Sequence, residues 1–409
     1  MKKLIKIVLC TLLVVTLMFV GILLLNNSNF EKMTEYIDSF SAIQKENQLV
    51  PQYDDDGSAY FVTDDEFKVM QLTDVHLGGS FLSTKDDKKA LNAIAAMIAT
   101  EQPDLVVVTG DISFAVPWAA TLNNKYAHDM FIRFMENLGV YWTVTFGNHD
   151  SEIYDYYTRS DVADFYSDNS LTYCLFNRGP EDVYGECNHM INVRNSDGLI
   201  TQTVIMMDSN SYTDEDPLGF NWIYDNIHQD QIEWYRSSIE AYNAHNAAIL
   251  EGGDYSDEEI ERYSTVKSLL FMHIPPMETR IAYDEYLAEG DTDDVSFVRG
   301  EVGESAPYVY CSMEEDQLFE TMLELGSTKA VFYGHDHLNN IALNYKGIIL
   351  TYGYSVDYFA YLGIDKTGSQ RGCTIITCQP DTSITITHEN YYQDKYVPLY
   401  EKEVVDMTK

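Results

Sequence analysis

The sequence predicts a layered α/β domain, a two-sheet β-sandwich flanked by helices, carried behind one N-terminal transmembrane helix. Three observations predict it. Short apolar, β-prone runs alternate with stretches whose apolar residues recur at helical spacing. Five of those runs end in a loop bearing Asp, His or Asn, which is where open α/β sheets place their sites. A stretch of 19 uncharged residues, Ile7 to Leu25, stands near the N-terminus.

At 1.5 Å per residue that stretch is roughly 28 Å long, close to the hydrocarbon thickness of a bilayer. Lys2, Lys3 and Lys6 precede it and Asn26-Asn27-Ser28-Asn29 follows. Positive charge before the span predicts a cytoplasmic N-terminus and an exported remainder. A cleaved signal peptide has a shorter apolar core and a small-x-small cleavage site. Here the run ends in Leu23-Leu24-Leu25 with no Ala-x-Ala nearby, which favours an uncleaved signal-anchor over residues 1–26; cleavage would make the chain secreted. Residues 27–58 are polar and are expected to form a stalk linker, residues 59–395 the folded domain, and residues 396–409 a C-terminal tail.

The formal net charge of −39 excludes the basic footprint of a duplex nucleic-acid binder and opposes peripheral attachment to anionic lipid headgroups. Of the six cysteines, Cys10 lies in the apolar span, leaving an odd number outside it and no zinc-site spacing. A Cys174–Cys187 or Cys373–Cys378 bridge is open to the chain, and the fold needs neither.

Taken in order, Phe67–Leu72 runs into Thr73-Asp74-Val75-His76, and Leu105–Val108 into Thr109-Gly110-Asp111. Val140–Thr145 reaches Phe146-Gly147-Asn148-His149-Asp150, Leu269–Met272 reaches His273-Ile274-Pro275, and Ala330–Tyr333 reaches Gly334-His335-Asp336-His337. Between them, Asp86 to Thr100, Ala127 to Leu138, Asp230 to Tyr242 and Glu314 to Leu325 carry helical periodicity. Residues 281–312 are acidic and aperiodic and are expected to be an inserted loop. Ile348–Thr351, Thr374–Thr377 and Ser383–Thr387 follow without helices between them and are expected to complete the second sheet.

Five of the ten histidines, His76, His149, His273, His335 and His337, stand directly after a strand, beside Asp, Asn and Gly. Any one alone reads as a hydrogen-bonded structural residue. Together they read as a metal site of imidazole and oxygen ligands, without the cysteines of a structural zinc cage, and suited to catalytic Mn, Fe or Zn. A carboxylate such as Asp111 can bridge two ions, as two-metal hydrolysis requires. The chain has no G-x-S-x-G element and no P-loop, so serine hydrolysis and nucleotide-driven switching have no support.

D-x-H at 74–76, G-D at 110–111, G-N-H-D at 147–150, His273 and G-H-D-H at 334–337 together resemble the calcineurin-like metallophosphoesterase family, over about residues 67–390. Asp208-Ser209-Asn210, the Trp222…Gln231…Trp234-Tyr235 stretch and the tail from Tyr345 to Gly372 are similar to its branch of purple-acid-phosphatase-related and yeast cell-cycle phosphatase proteins. The resemblance implies one ion on Asp74, His76, Asp111 and His337, and a second on Asp111, Asn148, His273 and His335. It implies His149 as general acid or transition-state stabiliser, with Asp150 orienting it or acting as a cap. Phe114 stands where a purple enzyme carries its tyrosine ligand, so the implied protein is not purple.

The implied activity is hydrolysis of a phosphomonoester or small phosphodiester by a metal-bridging hydroxide, with no protein nucleophile. A cyclic-nucleotide or nucleotide-sugar phosphodiesterase is the first alternative, and a non-catalytic binding module the second. Specificity is expected from segments 113–128, 151–200, 209–230 and 281–312. Tyr212, Arg280 and Tyr354 are placed to reach a bound substrate, although a packing role suits each better.

Overall fold

A computed structural model describes residues 2–304, 308–361, 364 and 370–405. In chain order its elements are α1 (Lys2–Ile37), β1 (Gln52–Tyr53), β2 (Ala59–Val62), β3 (Phe67–Leu72), α2 (Thr84–Glu101), β4 (Leu105–Thr109), α3 (Lys125–Leu138), β5 (Trp142–Thr145) and α4 (Arg159–Tyr166). There follow β6 (His189–Arg194), β7 (Ile200–Met206), α5 (Gln229–Gly252), α6 (Asp257–Tyr263), β8 (Lys267–Phe271), α7 (Met277–Glu289) and β9 (Val295–Arg299). The chain closes with α8 (Leu318–Leu325), β10 (Thr328–Tyr333), β11 (Ala342–Tyr345), β12 (Ile348–Tyr352), β13 (Gly372–Cys378) and β14 (Ile384–Asn390).

Two sheets result. One runs β14-β13-β3-β4-β5 and the other β1-β2-β6-β7-β8-β10-β12-β11-β9. β3, β4 and β5 run parallel to one another in the first sheet, as do β7, β8 and β10 in the second, and all of these but β7 lead into the site loops. Alternation along each strand builds the layers. Phe67, Val69, Leu105, Val107, Leu269, Phe271, Ala330 and Phe332 face the opposite sheet and form the inner core. Met70, Leu72, Val106, Val108, Trp142 and Val144 face outward, under the apolar sides of α2 and α3. Leu270, Val331, Tyr333, Leu350 and Tyr352 pack the other outer face with residues of α5, α7 and α8. Helix, sheet, sheet, helix is the four-layer sandwich that the alternation predicts.

Three expectations about organisation are corrected. Residues 27–58 are not a free stalk, because α1 runs unbroken to Ile37 and its last turns are built into the domain. Met33 and Ile37 are buried with Phe40 among α2 and α3 residues, since the helical repeat brings them to one face. Met33→Ala is expected to lower stability by about 2–4 kcal/mol, read from the shift of the denaturant midpoint. Residues 281–312 hold most of α7 and all of β9, and β9 pairs with β11. The final strands divide between the sheets: β12 joins β10, whereas β13 and β14 extend the first sheet beside β3. The segment from 396 also packs back, with Tyr396 buried and the Tyr400 ring tilted against Tyr36 at 4.8 Å between centroids. All six cysteines are free.

Candidate metal centre

The loops after β3, β4, β5, β8 and β10 meet at one end of the sandwich, and hydrogen bonds across the sheets fix their register. Gln71 Nε2 donates to Thr109 Oγ1 (3.0 Å) and to the Tyr333 carbonyl (3.1 Å), tying β3 to β4 and β10. His273 Nδ1 bonds the Thr109 carbonyl at 2.8 Å, leaving Nε2 bare and 3.1 Å from Asp111 Oδ2. Such an outer bond sets the tautomer of a ligating imidazole. Asn148 Nδ2 donates to the Tyr212 hydroxyl at 2.9 Å, so its Oδ1 is the atom left for a ligand.

Two overlapping clusters form. Asp74, His76, Asp111 and His337 bring ligand atoms within 4.8 Å of one another, as do Asp111, His273 and His335, with Asp111 common to both. His76 Nε2 lies 3.0 Å from His337 Nε2 and 3.6 Å from Asp111 Oδ2. Among the described residues, Asp111 Oδ2, Asn148 Oδ1 and His273 Nε2 are buried polar atoms without a hydrogen-bond partner. Buried donors and acceptors are nearly always paired. Three unpaired ones converging from three strand ends fit a pair of cations. The donor chemistry, nitrogen and oxygen without sulfur, fits first-row divalent ions.

The backbone is strained at the same places. Asp74 (φ 50°), His76 (φ 49°), Asp111 (φ 53°) and His335 (φ 78°) all occupy the left-handed region. Each such non-glycine residue costs about 1–2 kcal/mol, and strain of this kind persists where the surroundings over-determine it. Glycine is needed where the loops touch. A Cβ on Gly147 would collide with Asp111 Oδ1 and lie 2.6 Å from its amide, and one on Gly334 would fall 2.5 Å from Asp74 Oδ2. Gly147→Ala is therefore expected to destabilise the fold by about 1–3 kcal/mol and to weaken metal uptake, measured by thermal melting with and without Mn²⁺.

Burial holds His76 and His335 well below the ordinary imidazole range, so both are neutral, the form that binds metal. Burial opposes the charged form of Asp111, but His273 and His149 outweigh it and hold the carboxyl well below the usual range. Burial also opposes a charged His149, yet Asp111 and Glu152 raise it to about 9.

His149 opens a short 3-10 turn after β5, and its amide donates to Asp111 Oδ1 at 2.8 Å. Its Nδ1 meets Glu152 Oε1 at 2.7 Å. Asp150 is not the residue beside it. The Asp150 carboxylate is fully buried and accepts four backbone amides, from Asp111 (2.9 Å), Gly147 (2.8 Å), Ile112 (2.8 Å) and Ser113 (3.0 Å). It moulds the loops after β4 and β5, and the orienting contact expected of it belongs to Glu152.

Other supporting residues escaped the sequence. Arg159 bonds the Asp208 carboxylate (Nε–Oδ2 2.9 Å, with Nη2 against Oδ1) and the carbonyls of Gly147 (2.8 Å) and Phe146 (3.1 Å). Asp357 accepts the amides of Phe359, Ala360 and Tyr361 and sits 3.7 Å from His337 Nδ1. The only signal is a charged residue at a helix start for Arg159 and on a loop for Asp357, which is too common to single out.

Above the centre lies a cleft of about 540 Å³, and all four expected specificity segments line it. Pro117 and Trp118 come from the first, Glu152 and Tyr154 from the second, Tyr212, Phe220, Trp222 and Tyr224 from the third, and Glu304 and Tyr310 from the fourth. No Lys or Arg lines it among the described residues. Arg280 is turned away onto the Val309 carbonyl, and the Tyr354 hydroxyl accepts from Arg299.

A family model described as calcineurin-like phosphoesterase matches residues 67–339. A protein of Arabidopsis thaliana named probable inactive purple acid phosphatase 14 is 26% identical over 322 residues, covering 74% of this chain and 73% of that one. Phosphatase DCR2 of Saccharomyces cerevisiae is 25% identical over 299 residues, covering 68% of this chain and 45% of that one. Among solved structures, a dimetal phosphatase from Danio rerio superposes with TM-score 0.48 at 11% identity, covering 79% of this chain and 99% of that one.

Proposed function

The chain belongs to the calcineurin-like phosphoesterase family, and from that premise we propose that it hydrolyses phosphomonoesters or small phosphodiesters at a two-metal centre. In this reading Asp74, His76, Asp111 and His337 hold one ion, and Asp111, Asn148, His273 and His335 hold the other, with Mn, Fe or Zn as occupants. The domain is displayed on the outer face of the membrane that α1 crosses. The observation that carries the reading is the convergence of three unpaired buried atoms, Asp111 Oδ2, Asn148 Oδ1 and His273 Nε2.

Two cations held by these residues would lower the pKa of a water at neutral pH and offset the charge of the phosphoryl oxygens. The side chains do the rest. Thr109 and Tyr212 aim His273 and Asn148, and Asp150 fixes the two loops that carry Asp111 and Asn148. His149 lines the cleft with its Nδ1 engaged by Glu152, which leaves Nε2 to give a proton to the departing ester oxygen as the bond to phosphorus breaks. Glu152 is a positioning residue. Glu152→Gln is expected to slow an alkyl phosphate ester by on the order of tenfold and a nitrophenyl ester much less, because nitrophenolate leaves without that proton.

The cleft offers a polyanion no Lys or Arg among the described residues, which weighs against nucleotide sugars. A second reading, a binding module without turnover, is favoured by the name of the Arabidopsis relative, probable inactive purple acid phosphatase 14. The two separate in one assay. The purified full chain with Mn²⁺ is expected to hydrolyse nitrophenyl phosphomonoester or nitrophenyl alkyl phosphodiester. If it binds two ions and cleaves neither with any first-row divalent metal, the binding module is the better account.

A further inference from the structure

The apolar span and the cleft are closer than the linear sequence suggests. The uncharged run of α1 ends at Leu25, and the next residue, Asn26, is buried in the domain. Asn26 Nδ2 donates to the Ala120 carbonyl at 2.8 Å, and its Oδ1 accepts the Phe81 amide at 3.1 Å. One turn on, Asn29 Nδ2 donates to the Ser80 carbonyl at 2.9 Å, and its Oδ1 accepts from Thr84 Oγ1 at 2.6 Å. The helix is thus pinned, where its apolar run ends, to the loops that follow His76 and Asp111.

Chain geometry sets the distance to the cleft. Trp118 is two residues from Ala120, so their Cα atoms are at most about 7 Å apart. Trp118 lines the cleft and is 72% exposed, and Leu82, beside the Phe81 amide that Asn26 holds, is 52% exposed. Single exposed apolar side chains are ordinary, but these two stand at the foot of a membrane-length helix. An exposed tryptophan at that level matches the preference of indole for the bilayer interface.

The cleft chemistry points the same way. Its walls carry Phe220 and Trp222, 79% and 58% exposed, with Glu152 and Glu304 and, among the described residues, no Lys or Arg. Such a lining suits a phosphate ester with apolar or zwitterionic substituents and disfavours a polyanion. The net charge of −39 likewise excludes a surface built to grip anionic headgroups.

We infer that the cleft opens onto the bilayer that α1 crosses and takes its phosphate ester from a lipid at that surface. This rests on the phosphoesterase reading and adds the source of the substrate. A tethered cleft then meets its substrate at the high local concentration of the membrane plane.

The test uses the full chain with Mn²⁺ in phosphatidylcholine vesicles and two substrate pairs, each sharing its reacting group: nitrophenyl hexadecyl phosphate with nitrophenyl ethyl phosphate, and hexadecyl phosphate with glycerol phosphate. In at least one pair the tailed ester is expected to be cleaved more efficiently by about tenfold or more. Leu82→Ser, which lies outside the cleft, should shrink that ratio while leaving the short esters unchanged. Tryptophan fluorescence quenched by brominated phosphatidylcholine, and lost in W118F, would place Trp118 at the bilayer independently of turnover. Equal cleavage within both pairs, or no quenching assignable to Trp118, overturns the inference and leaves the hydrolase standing. Silence toward all four esters sinks the hydrolase reading and the lipid substrate with it.

Discussion

Asp111→Asn is expected to lower phosphoester turnover by on the order of 10³-fold, the scale of losing metal-ion charge stabilisation, while the chain stays folded. The size of the effect follows from position. Asp111 is the one residue common to both ligand clusters, and its Oδ2 is 3.1 Å from His273 Nε2 and 3.6 Å from His76 Nε2. An amide of the same shape keeps the Oδ1 contact to the His149 amide but puts an NH2 group, which has no free lone pair for a metal, at the bridging point. Elemental analysis beside the hydrolysis assay checks this. The variant should lose bound metal along with activity, whereas the circular dichroism spectrum should be unchanged.

Arg159→Met is expected to destabilise the protein by about 3–5 kcal/mol, the usual result of breaking a buried ion pair on one side. Asp208 is fully buried, and without the guanidinium it keeps only the amides of Glu186 and Asn210, each at 2.9 Å. The same change frees the carbonyls of Phe146 and Gly147, which Arg159 holds next to Asn148. Metal affinity should therefore fall together with stability. Adding Asp208→Leu should restore part of the stability without restoring metal affinity, because the stranded charge is gone but the loop remains unclamped. Denaturant melts and Mn²⁺ titrations of the single and double variants separate the two effects.

Much of this architecture was legible in the sequence. Each strand that ends in a site loop shows as a short apolar run, because its two faces are both buried: Val107 against the opposite sheet, Val106 under the helices. The proposed ligands were readable because Asp, His and Asn recur directly after those runs, and the structure brings all seven to one end of the sandwich. What stayed hidden depends on contacts between distant segments. Glu152 partners His149 through the geometry of a 3-10 turn, and the adjacent Asp150 is the one drawn into the backbone amides. Arg159 meets Asp208 across 49 residues. The docking of α1 is hidden in the sequence because Asn26 and Asn29 read as polar residues at the end of the span and the start of a stalk, and only the facing carbonyls of Ala120 and Ser80 turn them into anchors.

The measurement closest to the central claim is activity as a function of bound Mn²⁺ per chain, with the purified full-length protein stripped of metal and reloaded stepwise. A shared Asp111 and two overlapping ligand sets predict that hydrolysis of a nitrophenyl ester appears as the second ion loads and levels off at two ions per chain. Saturation at one ion, or full loading with two ions and no turnover, would contradict it.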